Sequence, residues 1–598
     1  MGENFVIGIV MSVYLIFMLA IGYFFKTKTH TFNDYVLSGR GLPWFMIAMT
    51  LLATLANATQ VLGISGFSYL TGLSFMFWFF IVVNIFIYPL MVRLGSRFRG
   101  LNFVTIVDLA EERFPGSKRL TVLMTFWQLL WGVFSIGMCL YGGALLVNVV
   151  FGVPLYTGIA IAAFVTVTYT ILGGLRAVVF TDLIQWLIIV LGTAFFVPTV
   201  FSKYGSFTEF WSGLLGSSGM NPAAGTDVWP GFTDLFTLAP GITVLGILAM
   251  GIAGSLWMPT DLGFMQRMLA SKKIEDGKKA ALTFVVLITV WATIMLAMGA
   301  YARILFPGVQ YTDKVVILLA QDVFPVFGAA VFITAVAAAV MSTVSTYLNA
   351  GSAILVHNIY SKFIKPGMTD SHYIMVARLC TFLLIVAAIM IAPIIQTEGL
   401  FATALMVQML ICSSLTPMIL FSTYWKKMSE PAAFFGNIIG AAIVLYVITI
   451  IGGAGAAFGG QGLWGIPAIF IGLIVSIPLY ILISHIFPGS PESMGPKFRR
   501  LFAGEYEELK VGTGDIKVIG SAVVLILIVV LYRTTSDRVF AAMPPLSGSF
   551  AWLTNSYFYL AAAAVAVVCL YVLYRSIAWV KGLSSEEEAE DLDKSVSS

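Results

Sequence analysis

Fifteen stretches of this chain are long and apolar enough to cross a lipid bilayer, and that repetition leaves few folds open. A spanning helix needs about 20 mostly apolar residues. Runs of that length fall at roughly 5–25, 43–70, 73–94, 120–150, 153–173, 177–202, 240–266, 280–306, 323–350, 373–394, 398–424, 431–453, 463–487, 516–533 and 555–579. Of the 598 residues, 59% are hydrophobic and 10% charged, with mean hydropathy +0.95. Soluble domains carry about 25% charged residues. The fold class is therefore an all-α polytopic membrane protein with about 15 transmembrane helices.

The cations set an orientation. With the N-terminus outside, 28 of the 33 Lys and Arg fall in inner loops, and only Lys203, Arg303, Lys314, Arg533 and Arg538 fall outside. Fifteen spans then leave the C-terminus cytoplasmic. The acidic start Met1-Gly-Glu-Asn does not read as a cleavable signal. Four cysteines, all in apolar segments, show no metal spacing, so neither a disulfide framework nor a zinc site is expected. Residues 102–114 read as an amphipathic interfacial helix. The loop 203–239 is rich in Gly, Ser, Pro and Asn. The linker 489–515 is rich in Pro and Gly, and the acidic tail from Ser584 reads as a solvated end.

Polar groups interrupt three of the runs. Residues 332–350 begin apolar and then carry Ser342, Thr343, Ser345, Thr346 and Asn349. At about 100° per residue, Ala339, Thr343 and Thr346 share a face, with Ser342 and Ser345 on its shoulder. Hydroxyl and carbonyl oxygens are ligands of hard cations, so one reading is a Na⁺ site. The other is hydroxyls bonded back to their own backbone or packed against a neighbouring helix. Run 43–70 holds Thr54, Asn57, Thr59 and Gln60 near mid-membrane, where facing lipid is costly. An unwound turn there would offer carbonyls to a cation and amides to a solute, and interhelical hydrogen bonding is the alternative. Run 240–266 has Gly251, Gly254, Pro259 and Asp261 around Trp257, and its two Gly and Pro predict a broken helix. Two interrupted helices in corresponding positions point to an inverted-repeat transporter. Asp182 lies early in its run; it is either functional or paired with nearby Arg176 at the inner interface.

Six motifs in order connect these features. They are Asp34-Tyr-Val-Leu-Ser-Gly-Arg40-Gly-Leu-Pro-Trp, Gly63-Ile-Ser-Gly-Phe-Ser-Tyr and Gly173-Gly-Leu-Arg-Ala-Val-Val-Phe-Thr-Asp-Leu-Ile-Gln. Further on come Gln266-Arg-Met-Leu-Ala, Ala338-Ala-Val-Met-Ser-Thr and Tyr424-Trp-Lys-Lys. Together they resemble the sodium/solute symporter family over most of residues 30–430. The resemblance implies a LeuT-like five-plus-five inverted-repeat fold with one N-terminal extra helix and additional C-terminal helices. The expected divisions are 1–42 for the extra helix and inner loop, 43–202 for the first repeat, 203–239 for the outer loop and 240–424 for the second repeat. Two further core helices follow at 425–488, an inner linker at 489–515, two additional helices at 516–580 and an acidic tail at 581–598.

By the same resemblance, Ala53, Ala56, Ala339, Ser342 and Thr343 match the ligands of a main Na⁺ site. Asp182, Ser342, Ser345 and Thr346 match a second one, so the coupling ion is one or two Na⁺. Asn57, Thr59, Gln60, Trp257 and Gln408 are the candidate solute contacts. The substrate-specific positions depart from the family: Leu55 stands where proline carriers have an aspartate. The span holding Ser135 lacks the arginine of sialic-acid carriers, and 280–302 lacks the lysine of many sugar carriers. The expected activity is Na⁺-coupled import of a small polar organic solute across a cell membrane, with a prokaryotic inner membrane as the expected location. A transporter-like sensor and an H⁺-coupled symporter using Asp182 are the alternatives. The expected partners are a small-molecule solute and membrane lipid, with no nucleic acid and no obligate protein partner. Neither a catalytic constellation nor a channel-filter repeat occurs, so an enzyme is not expected.

Overall fold

The computed structural model describes residues 3–26, 31–199, 244–306, 308–451 and 466–506. The runs at 516–533 and 555–579, the loop 203–239 and the acidic tail lie outside the described residues. Among those described, nine helices are long and apolar enough to cross a membrane, or eleven if each of two bent pairs counts as one span. The elements are helical throughout; the one β pairing among the described residues is an isolated bridge between Leu42 and Ser271.

Helix α1 (Glu3–Lys26) precedes the core, and α2 (Phe32–Leu37) follows it. The first bent pair is α3 (Trp44–Leu55) and α4 (Ile64–Thr71), joined through a π-helical turn at Thr59–Gly63 and bent by 57°. Asn57 produces the break locally. Its Oδ1 accepts the Gln60 N–H at 3.0 Å, capping the second segment as short polar side chains do. Then come α5 (Leu73–Gly100), α6 (Asp108–Arg113), α7 (Lys118–Phe151) and α8 (Leu155–Ala194), the last kinked at Gly174.

The second bent pair is α9 (Val244–Leu256) and α10 (Leu262–Leu269), bent by 45° across the turn Met258–Thr260. Asp261 restarts the helix: its backbone is extended and its Oδ1 accepts the Phe264 N–H at 2.8 Å. After it run α11 (Ile274–Leu305), α12 (Val315–Val323), α13 (Val326–Ile354), α14 (Asp370–Glu398), α15 (Leu400–Tyr424), α16 (Glu430–Ile451), α17 (Ala468–Ile486) and α18 (Pro496–Ala503).

Two groups of helices emerge from the packing. Helix α11 packs on α3, α4 and α5, and α9 on α5. Helices α7, α8, α13 and α14 pack on one another, with α1 against α8 and α13. Gln185 of α8 fastens α1 by donating to the Tyr14 hydroxyl at 3.0 Å. The broken α3–α4 pair lies between the groups, against α11 on one side and α8 and α13 on the other. Its contact with α11 is a backbone contact. A Cβ built on Gly299 would sit 2.1 Å from the Ser65 carbonyl oxygen.

The helix expected over 102–114 is shorter than its periodicity implies. Asp108 accepts the N–H groups of Val104 at 2.7 Å and Thr105 at 3.1 Å, which folds the preceding residues into turns. The same carboxylate accepts from Asn358 at 2.9 Å and contacts His357 at 3.1 Å and Lys362 at 3.6 Å. Burial opposes its ionisation. His357, Lys362 and the Val104 N–H outweigh burial and hold the carboxyl far below the usual carboxylate range.

Two predictions follow from this packing. Gly299→Val removes the α4–α11 approach, so a sharply lowered thermal midpoint or loss of folded protein is expected by size-exclusion chromatography. Asp108→Asn destabilises by about 1–3 kcal/mol at neutral pH. Because the folded-state pKa is depressed, that advantage of the wild type exists above the unfolded pKa and is lost as pH falls. The thermal midpoints of wild type and variant therefore converge below about pH 4.

Candidate cation and solute site

The break in α3 frees two carbonyls. In an unbroken helix Asn57 N–H would bond the Ala53 oxygen four residues back. Instead it bonds Leu55 O at 2.7 Å, and Ala56 turns the chain out of the helix with ψ 53°. Helix α13 supplies what the turn gives up. The Ser342 hydroxyl lies 2.8 Å from Ala53 O and 3.0 Å from Ala339 O. The Thr343 hydroxyl lies 2.8 Å from Thr54 O and 3.4 Å from Ala339 O. Ala53, Ala56, Ala339, Ser342 and Thr343 are all fully buried. Four of the five expected main-site residues thus meet directly, and Ala56 forms the end of α3. Thr54 O, which sequence reasoning missed, joins them. The oxygens are neutral carbonyls and hydroxyls, a donor set that fits a hard monovalent ion. Rotating each hydroxyl turns its lone pairs, rather than its proton, toward such an ion.

The residues of the expected second site are arranged differently. Asp182 on α8 accepts a hydrogen bond from the Thr50 hydroxyl and pairs with Arg267 Nη2 at 3.2 Å, both charged side chains being fully buried. Arg267 Nη2 also donates to Thr346 Oγ1, which lies 3.1 Å from Thr54 Oγ1 and donates to Ser342 O at 2.8 Å. The Ser345 hydroxyl bonds back to Ser342 O at 2.9 Å. Arg176, the sequence neighbour weighed as Asp182's partner, pairs with Asp34 at 3.2 Å. The count of inner-loop cations includes Arg267; the structure instead buries it completely. Its signal was available: an arginine next to a broken intramembrane helix is costly without a partner.

One face of α7 reads along both breaks. Gln128 donates to Thr260 O at 2.8 Å, in the second break. The Trp131 ring lies 4.5 Å from that of Trp257, and its Nε1 donates to Tyr347 OH at 3.0 Å. Two turns on, Met138 Sδ is 3.7 Å from the Thr59 hydroxyl, and a Cβ on Gly142 would sit 2.5 Å from Ala58 Cβ. Trp257 and Thr59 are therefore both seated on α7. Asn57 caps Gln60, whose Oε1 has no hydrogen-bond partner among the described residues. Gln408 is buried on α15, which packs against the π turn and α9; no hydrogen bond among the described residues joins it to the other four. The α7 residues carry a faint signal of their own, since Gln128, Trp131, Ser135 and Met138 recur at helical spacing.

The chain as a whole is similar to known proteins. The sodium/glucose cotransporter of Vibrio parahaemolyticus is 27% identical, over 75% of this chain and 86% of that protein. The osmoregulated proline transporter OpuE of Bacillus subtilis is 28% identical, over 80% of this chain and 94% of its own length. Among solved structures, a Na⁺-coupled sialic acid symporter in a substrate-bound outward-open state superposes with TM-score 0.66. That match has 18% identity and covers 81% of this chain and 98% of the other. It shares the LeuT-like fold. The model of the sodium:solute symporter family matches residues 35–440, and on that match this chain belongs to the sodium:solute symporter family.

Proposed function

We propose that this chain is a Na⁺-coupled symporter that imports a small polar organic solute (an amino acid, a sugar or an organic acid) by alternating access. The observation that carries the proposal is the set of α3 carbonyls released at Ala53 and Thr54 and met by Ser342 and Thr343. Na⁺ coordinated by Ala53, Ala56, Ala339, Ser342 and Thr343 joins the broken helix to α13. Asn57, Thr59, Gln60, Trp257 and Gln408 contact the solute, with Trp257 offering an aromatic face. Residues 43–202 and 240–424 act as the two inverted repeats, and the site lies between them. The N-terminus faces outward and the C-terminus the cytoplasm of a prokaryotic cell. The membrane potential adds about 2.3 kcal/mol per 100 mV for each Na⁺ that enters. The pairing of Asp182 with Arg267 gives no support to an H⁺ relay through that carboxylate.

Two measurements test the proposal. Na⁺ at about 100 times its Kd stabilises the folded protein by about 2.7 kcal/mol. A rise in the thermal midpoint is expected with Na⁺ and not with K⁺ or choline, and Thr343→Ala is expected to abolish it. Equal midpoints in all salts for well-folded wild type would refute Na⁺ coupling at this site. A solute library screened in Na⁺ then identifies the substrate by a further shift. Trp257→Ala is expected to keep the Na⁺ response and lose the solute shift.

A further inference from the structure

We infer that the solute carries an ammonium group and that Asp261 is the residue that recognises it. The inference rests on the reading of Trp257 as a solute contact and deepens it by naming a substrate class. Asp261, four residues after Trp257, is 3% exposed. Its Oδ1 caps α10 by accepting the Phe264 N–H at 2.8 Å, whereas its Oδ2 has no hydrogen-bond partner among the described residues. The Tyr347 hydroxyl lies beside both Asp261 and Ser135. Ser135 Oγ is likewise buried and without a hydrogen-bond partner among the described residues.

The charges around the two breaks do not balance. Two buried carboxylates, Asp182 and Asp261, share the region with one buried cation, Arg267. Arg267 pairs with Asp182 at 3.2 Å, and its other nitrogens donate to Thr50 Oγ1 at 2.9 Å and Gly263 O at 3.0 Å. Among the described residues no ion pair joins Asp261 to a cation. A carboxylate taken out of water without a counter-charge is costly; it binds a proton or meets a cation. The surroundings favour an organic cation. Trp131 Nε1 donates to Tyr347 OH at 3.0 Å, and the Trp131 ring lies 4.5 Å from that of Trp257. Aromatic faces attract organic cations, whereas a bare hard metal ion takes a shell of oxygens. The acceptor count also matches. An ammonium has three N–H donors and no acceptor. Asp261 Oδ2, Ser135 Oγ and the remaining lone pair of Tyr347 OH supply three acceptors, one each from the cap of α10, α7 and α13. An ammonium held there ties the second break to α7 and α13.

The test is thermal-shift titration of the purified full-length protein in saturating Na⁺. The amine probes are the standard L-amino acids, ethanolamine and putrescine; N-acetyl amino acids, N-acetylethanolamine, glucose and lactate are the probes without the charge. At least one amine is expected to raise the midpoint, and its N-acetyl form is not. Asp261→Asn keeps a side chain able to cap α10. It is expected to retain the Na⁺ shift and to bind the amine about 30-fold or more weakly. Ser135→Ala, which has no part in the cap, is expected to weaken the amine about tenfold. The inference is overturned if no amine shifts the wild type, or if an N-acetyl form shifts it as far as its amine. A folded Asp261→Asn that binds the amine as tightly as wild type overturns it as well, because the carboxyl then carries a proton. Loss of the Na⁺ shift in that variant assigns the carboxylate to an inorganic cation, with the same consequence. If neither variant folds, the wild-type comparison of amine with N-acetyl form decides. A wild type shifted by Na⁺ and then only by glucose or lactate keeps the symport reading and removes this one, so the two failures are distinguished.

Discussion

The structure depends on a backbone debt in the middle of a membrane. Where α3 unwinds, the Ala53 and Thr54 carbonyls lose their helical donors, and the hydrocarbon offers no water to replace them. Ser342 and Thr343 meet those carbonyls at 2.8 Å each. The helix break and the proposed cation site are therefore one arrangement. The same oxygens that make the break tolerable are those a small cation would use. An ion bound there, as proposed, would replace hydroxyl protons as the partner of the carbonyls, which would link ion binding to how firmly α3 is held on α13.

A second constraint is that two broken helices must keep register with each other. Helix α7 provides it without charge. Gln128 and Trp131 fix the break before α10, and Met138 and Gly142 fix the break after α3. Arg267 adds the charged connection, since it is carried by α10 and bonds acceptors on α3, α8 and α13. Movement of either bent pair therefore disturbs contacts of the other. That is the mechanical property an alternating-access carrier needs, and it comes from fewer than ten side chains.

Much of this was legible in the chain itself. The hydroxyls at Ser342 and Thr343 interrupt an apolar run on one face of a helix, and the structure places them against α3. Asn57 with its polar neighbours marked the first break, and Gly254 with Pro259 the second, because those residues cap or cannot continue a helix. What stayed hidden was long-range pairing. Asp182 has an arginine six residues away in sequence, yet its partner is Arg267, brought in by the fold. Trp131 and Trp257 meet across more than a hundred residues, and apolar periodicity says nothing about which aromatic faces which. Helix α7 is mostly apolar, so the face it turns toward the two breaks does not stand out from its other faces. The interfacial helix was overestimated because periodicity does not reveal that Asp108 caps from inside the segment.

The most direct test of the central claim is hydrogen–deuterium exchange of the backbone around residues 53–59, in Na⁺ and in K⁺. If a sodium ion holds the unwound turn to α13, Na⁺ slows exchange across 53–59 and 339–346 together, and the protection disappears in Thr343→Ala. Equal exchange in the two salts, or Na⁺ protection that persists in Thr343→Ala, would contradict the account.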